Sequence, residues 1–392
     1  MSVRIGSIPS AVRHRLANGP LYYGWVVVGA CFAIHVITWG TVWSFGVFFA
    51  FVVEEFGLSN ANTSIVFSLQ AIVTFGSAAG LGLVIERYGS RRLLVLATVL
   101  ITVGLLGVSR LPSFLGVMVS YSLVAALGFG IAAIIAYVAP VRWFERRRGL
   151  ATGIATAGAG VGSRVVSPLG EWAIGQIGLR ATYPGLTAGF VILFGLAILV
   201  FADRPRDVGS DPSAEFTDVV PDTHPVEADW QSQVEVIAGI AHSRTFVRVV
   251  LAYLFLSAPL AVLMVNAVEY TTNVGLGREI GVLAIGVLGT MNVIGKVAGG
   301  PVLDRFGSAE TIAASGVFEA VGLAVILAVP SPEAVIVGVV IFGFGWGVWT
   351  GFLAPLLADL FGTLNINALF GVAFAVYAIS GSVAPYLTGL SV

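Results

Sequence analysis

Nearly the same nine residues occur twice, 218 positions apart: Gly82-Leu83-Val84-Ile85-Glu86-Arg87-Tyr88-Gly89-Ser90 and Gly300-Pro301-Val302-Leu303-Asp304-Arg305-Phe306-Gly307-Ser308. Each copy ends one long apolar segment and starts another. A glycine, an acid followed by arginine, an aromatic and a second glycine make a short turn whose charges cannot sit in hydrocarbon. The repeat therefore reads as a hinge at a membrane surface, and the chain as a duplicated bundle.

Composition agrees. Hydrophobic residues are 57% of the 392, charged residues 10%, and the mean hydropathy is +0.96, more apolar surface than a water-soluble domain can cover. The run at 22–48 is too long for a cleaved leader, although Arg4, Arg13 and Arg15 precede it, so it reads as the first span. About 20 apolar residues cross the hydrocarbon core. By that ruler eleven spans are expected, near 22–48, 62–85, 92–109, 113–140, 148–173, 181–202, 246–271, 280–303, 309–329, 334–358 and 366–390. A symmetric six-plus-six arrangement needs one more, so the reading is of eleven spans out of twelve, the last missing.

Three units follow: an N-terminal six-helix bundle at 1–202, an acidic linker at 203–245, and a C-terminal bundle at 246–392 holding the seventh to eleventh spans. The linker carries Asp203, Asp207, Asp211, Glu215, Asp218, Asp222, Glu227 and Asp229 and is expected to be flexible. Arginines set the orientation. Arg87, Arg91 and Arg92 lie between the second and third spans, and Arg142, Arg146, Arg147 and Arg148 between the fourth and fifth. Arg305 lies between the eighth and ninth. The positive-inside rule places these loops, the amino terminus and the linker in the cytoplasm of a multi-pass plasma-membrane protein. Lone Cys31 excludes an intrachain disulfide or cysteine cluster.

These residues resemble the major facilitator superfamily, whose signature G-x-x-x-D-R-x-G-R-R reads here Gly82, Glu86, Arg87, Gly89, Arg91, Arg92, with glutamate for aspartate. Within it the chain is similar to the monocarboxylate transporters and their oxalate/formate relatives. That likeness rests on Tyr23-Gly24-Trp25-Val26-Val27 through Ser44-Phe45-Gly46-Val47-Phe48-Phe49 and on Trp143-Phe144-Glu145-Arg146-Arg147-Arg148-Gly149-Leu150-Ala151-Thr152-Gly153. The resemblance implies an all-α membrane fold of two pseudo-symmetric six-helix halves working by alternating access. Physically, the motif acids and arginines (Glu86, Arg87, Arg91, Arg92, Asp304, Arg305) can latch the halves across the short loops. Glycines 149, 153, 158, 160 and 162 allow close helix approach, for static packing or for rocking.

Ionisable groups inside spans are costly and are candidate functional residues. Lys296, the only lysine, lies eight residues before Asp304, about 12 Å into the membrane. A cation there asks for an anion. The resemblance implies that this helix presents a basic residue to a substrate carboxylate, with an acid one turn earlier; here the pair is Asn292 and Lys296. Lysine loses the bidentate geometry of arginine but can take up and release a proton, so one residue can couple proton and anion. The alternative is a lysine paired with buried Glu319, which itself either faces lipid or turns toward the eighth span.

Arg164, about 24 Å along the fifth span from Arg148, is either a second contact for anions or a partner of Glu171. One central cation suits a monocarboxylate, two a dicarboxylate. His35 is a proton relay or a packing residue. Asn266 and Tyr377, and behind them Tyr270 and Tyr121, can orient a carboxylate or pack. No metal cluster, phosphate loop or nucleic-acid patch is legible, and neither catalysis nor a cofactor is implied. The expected partners are a small carboxylate, a proton and lipid. The expected function is proton-coupled monocarboxylate symport. Its rivals are oxalate/formate-type exchange, proton-coupled efflux of amphipathic compounds (Pro168 follows the glycine series), and a non-transporting sensor.

Overall fold

The structure is a computed structural model that describes residues 22–44, 48, 57, 60–111, 113–209 and 230–389, without the side chains of 60–64, 261, 265, 377 and 379–389. Arg4, Arg13, Arg15, residues 210–229 of the expected linker and the Tyr377 side chain lie outside the described set. The described residues form helices and no strands. Backbone polar groups in hydrocarbon must be satisfied within the segment, and helices do this.

In the first half these are α1 (Gly24–Trp43), α2 (Asn60–Gly76), α3 (Ala78–Tyr88), α4 (Ser90–Arg110), α5 (Phe114–Met118), α6 (Ala126–Trp143), α7 (Arg148–Ile177) and α8 (Leu179–Val200). A π-helical turn, Val119–Ala125, joins α5 to α6. After the linker come α9 (Trp230–Ala241), α10 (Arg244–Asn273), α11 (Arg278–Phe306), α12 (Ser308–Ala328), α13 (Pro332–Gly351), α14 (Leu353–Phe361) and α15 (Ile366–Gly389). The second expected span is broken: α2 and α3 meet at 46°.

Among the described residues eight helical stretches are long and apolar enough to cross a membrane, or nine with the bent pair counted as one span. The expected fifth span, α7, is not among them. It is 30 residues long but rich in glycine and carries Arg164 and Glu171, as suits a helix packed inside a bundle rather than against lipid. The linker also departs from expectation, since residues 230–241 are the helix α9.

The outside is as apolar as the inside. Val95, Val99 and Val103 on α4, Ile192 and Leu196 on α8, and Val317 and Val321 on α12 are exposed, as a surface solvated by lipid requires. Within the first half α1 packs on α7 and α6, and α4 on α8; within the second α13 packs on α11 and α12. The halves meet along α7 with α11 and along α3 with α15. In the first half α8 also rests on α1. The corresponding position in the second half, between α10 and α12, is an apolar groove of about 590 Å³.

Candidate functional site

The repeated nonapeptide does the same work twice. Gly89 and Gly307 have positive φ, +83° and +95°, a conformation glycine adopts without penalty, and each breaks the chain between two helices. The acid just before each break reaches the other half. Glu86, at the end of α3, accepts from the Asn367 amide at 2.8 Å, in the first turn of α15. Asp304, near the end of α11, accepts from the amides of Gly149 (2.6 Å) and Leu150 (3.0 Å), in the first turn of α7. The first amides of a helix lack intrahelical partners and carry the positive end of its dipole, so a carboxylate is well placed there.

Glycine permits the approach. A methyl on Gly82 would run into the Asn367 carbonyl, one on Gly149 into the Gly300 carbonyl, and one on Gly153 into the Lys296 carbonyl. The molecule is shut at this motif end.

Two partners went unread in the sequence. The guanidinium that meets both oxygens of Glu86, at 2.8 Å, belongs to Arg142 at the end of α6, where arginines of the intervening loop were expected. Arg148 pairs across the halves with Asp359 on α14. Arg87 instead lies over the rings of Tyr88 and Trp230, 5.9 and 5.5 Å from their centroids, and Arg305 lies 5.4 Å from that of Phe306. Arg91 is half-buried and Arg92 exposed. Spacing along the chain gives no hint of which distant helix end arrives beside a motif acid.

Beyond this seal a cavity of about 410 Å³ lies between the halves. Lys296 and Asn292 line it and are each 1% exposed, whereas Trp43 and Met264, toward the end away from the motifs, are 41% and 42% exposed. The cavity thus opens away from the motif end. The Lys296 ammonium makes one long contact, 3.4 Å, to the Thr156 carbonyl on α7, and among the described residues no carboxylate pairs with it. Asn292 donates to the Thr350 hydroxyl at 3.3 Å, and its Oδ1 is buried without a hydrogen-bond partner.

Aromatic rings form much of the wall. Trp39, Phe75 and Phe374 make one chain of contacts, with centroids 6.0 Å apart in the first pair and 5.0 Å in the second. Phe370 stacks on Tyr137 at 5.3 Å and on Phe374 at 5.1 Å. Trp43 and Trp346 face each other at 6.3 Å across the halves. This cluster was missed in the sequence, although the i, i+4 pairs Trp39/Trp43 and Phe370/Phe374 each mark one helix face.

Other expected site residues go elsewhere. Arg164 is exposed and bonds the Gly286 carbonyl at 3.0 Å and the Thr290 hydroxyl; it ties α7 to α11 instead of lining the cavity or meeting Glu171. Asn266 donates to Val262 of its own helix at 2.8 Å. His35 is fully buried one layer behind the wall, edge-on to Tyr137 at 4.4 Å, with no hydrogen bond of good geometry at either ring nitrogen. Tyr270 donates to the Ile326 carbonyl at 2.9 Å, and Tyr121 packs on Phe129 inside the first half. Glu319 turns to α13, accepting from the Trp349 indole at 2.6 Å, and so does not neutralise Lys296.

A sequence profile of the Major Facilitator Superfamily matches residues 31–385. Monocarboxylate transporter 13 of Bos taurus is 25% identical over 370 residues, covering 94% of this chain and 82% of that protein. MFS-type transporter 1 of Ophiocordyceps sp. is 23% identical over 371 residues, covering 94% and 78%. Among solved structures, that of the transporter FucP in the outward conformation gives a TM-score of 0.71 at 13% identity, covering 94% of this chain and 92% of that one. The proton:xylose symporter XylE gives 0.70 at 13% identity, covering 94% and 89%.

Proposed function

The chain belongs to the major facilitator superfamily, and from that premise we propose that it carries a small organic monocarboxylate across the plasma membrane together with a proton, by alternating access. One observation carries the proposal: a buried ammonium at the floor of the cavity between the halves, paired with no carboxylate among the described residues. An uncompensated charge in such a place is costly, and an incoming carboxylate supplies the missing partner. The relatives named as monocarboxylate transporters support the same cargo. Among the described residues Lys296 is the one cation that lines the cavity, with Arg164 outside it, which favours one carboxylate over two.

The mechanism follows from who holds Lys296. Its present contact is the Thr156 carbonyl of the opposite half, so a bound anion competes with a bond between the halves. With the motif loops in the cytoplasm, the cavity opens to the outside and the motif end is the closed gate. Opening inward requires Glu86 to leave the α15 amide and Asp304 to leave the α7 amides. Proton uptake by Lys296 precedes anion binding and its release follows, so net movement couples the two.

Uptake of labelled monocarboxylates, aliphatic and aryl, into proteoliposomes tests this. An inward proton gradient should accelerate accumulation. Equal counterflow with no effect of the gradient would favour carboxylate exchange, and absence of any carboxylate flux would refute the proposal.

A further inference from the structure

Resting on the carboxylate reading above, we infer that the cargo is an aryl-substituted carboxylate with a hydrogen-bond donor beside its acid group, rather than a bare three-carbon acid. The first reason is size. At about 30 Å³ per water-sized group, a cavity of about 410 Å³ holds on the order of a dozen non-hydrogen atoms. A pyruvate-sized anion would fill roughly half of it and leave the rest to water against apolar walls.

The second reason is the wall itself. Trp39 and Phe75 of the first half and Phe370 and Phe374 of the second present a continuous ring surface, and the Trp43–Trp346 pair extends it across the halves. A flat ring of the ligand gains offset or edge contacts on such a surface that an aliphatic acid cannot make.

The third reason is an unmet acceptor beside the ammonium. Asn292 Oδ1 is buried and unpaired one helical turn from Lys296, about 5–6 Å between their Cβ atoms. An acid seated on the ammonium therefore brings a 2-hydroxyl within reach of Asn292, and the ligand satisfies an acceptor the protein leaves unmet. Ammonium, amide and ring wall together describe an aryl 2-hydroxy acid.

Titration calorimetry on the purified full chain in detergent tests this with 3-phenyllactate, lactate, 3-phenylpropionate and neutral 3-phenylpropionamide. 3-Phenyllactate should bind on the order of tenfold or more tighter than lactate, as burial of one ring implies. It should also bind several-fold tighter than 3-phenylpropionate, about what one hydrogen bond supplies, and Asn292→Ala should erase that second difference. Lactate binding as well as 3-phenyllactate would overturn the aryl inference and leave the carboxylate proposal standing. Loss of the difference between 3-phenyllactate and 3-phenylpropionate in the unaltered protein would overturn the role of Asn292. The neutral amide binding as well as the acids, or no acid binding at all, would instead overturn the carboxylate reading on which the inference rests.

Discussion

At the scale of single residues, the two buried acidic or basic side chains of the second half, among the described residues, have opposite situations. Lys296 faces the cavity with one long contact, whereas Glu319 is satisfied on one oxygen by the Trp349 indole and lines the groove on the far side. Glutamine keeps that acceptor, so Glu319→Gln should change stability by no more than about 1 kcal/mol, while Glu319→Ala strands the indole and should cost about 1–3 kcal/mol. Thermal unfolding in detergent measures both; equal losses would show that the Trp349 bond is immaterial. Lys296 was legible because it is the one lysine and its distance from Asp304 sets its depth. Arg164 was misplaced because depth along a helix does not say which face the side chain takes, and that face turned out to meet α11.

At the scale of elements, two crossings close the motif end, α3 with α15 and α7 with α11, and each pairs a carboxylate with the first turn of a helix from the other half. Removing one such acceptor costs about 0.5–2 kcal/mol of the shut arrangement. Asp304→Asn should therefore raise the open population several-fold. Gly82→Ala should act in the same direction, because its methyl meets the rigid Asn367 backbone. Both effects are measured by thiol-labelling rates from the motif side, with one cysteine placed at Thr156, whose side chain faces Gly351 of the other half, and Cys31 replaced by serine. Unchanged rates in both variants would remove the gate. The duplicated peptide made these two crossings readable in outline, since a repeated acid before a glycine break has to meet something. Its partners were hidden because Arg142, Asp359 and the α7 and α15 amides approach only through tertiary packing. The helix α9 was hidden for a compositional reason: acidic residues 203–229 dominate the window in which it sits.

At the scale of the whole molecule, the proposed mechanism makes the aromatic cavity, the seal below it and the exposed mouth one of two states exchanged by rocking of the halves. Tyr88 and Phe306 are exposed at the motif end, one in each half. Spin labels there should move apart when Glu86→Gln and Asp304→Asn are combined, and the distance distribution from pulsed electron resonance should gain a longer component; a distribution unaltered by the pair would contradict rocking about the cavity. The fold was legible from apolar length and the repeat, since lipid admits few spanning architectures. The ring wall was not, because it is assembled from α1, α2, α6, α13 and α15, whose meeting depends on how the halves dock.

The central claim is that the Lys296 ammonium receives the carboxylate. Its most direct test is proton-driven carboxylate uptake into proteoliposomes by the unaltered chain, Lys296→Arg and Lys296→Gln, at matched protein incorporation. Loss of a charged hydrogen bond, about 1.5–3 kcal/mol, predicts at least a tenfold weaker apparent affinity in Lys296→Gln, with anion binding retained in Lys296→Arg but proton coupling weakened. Uptake by Lys296→Gln with unchanged affinity and unchanged dependence on the gradient would contradict the account.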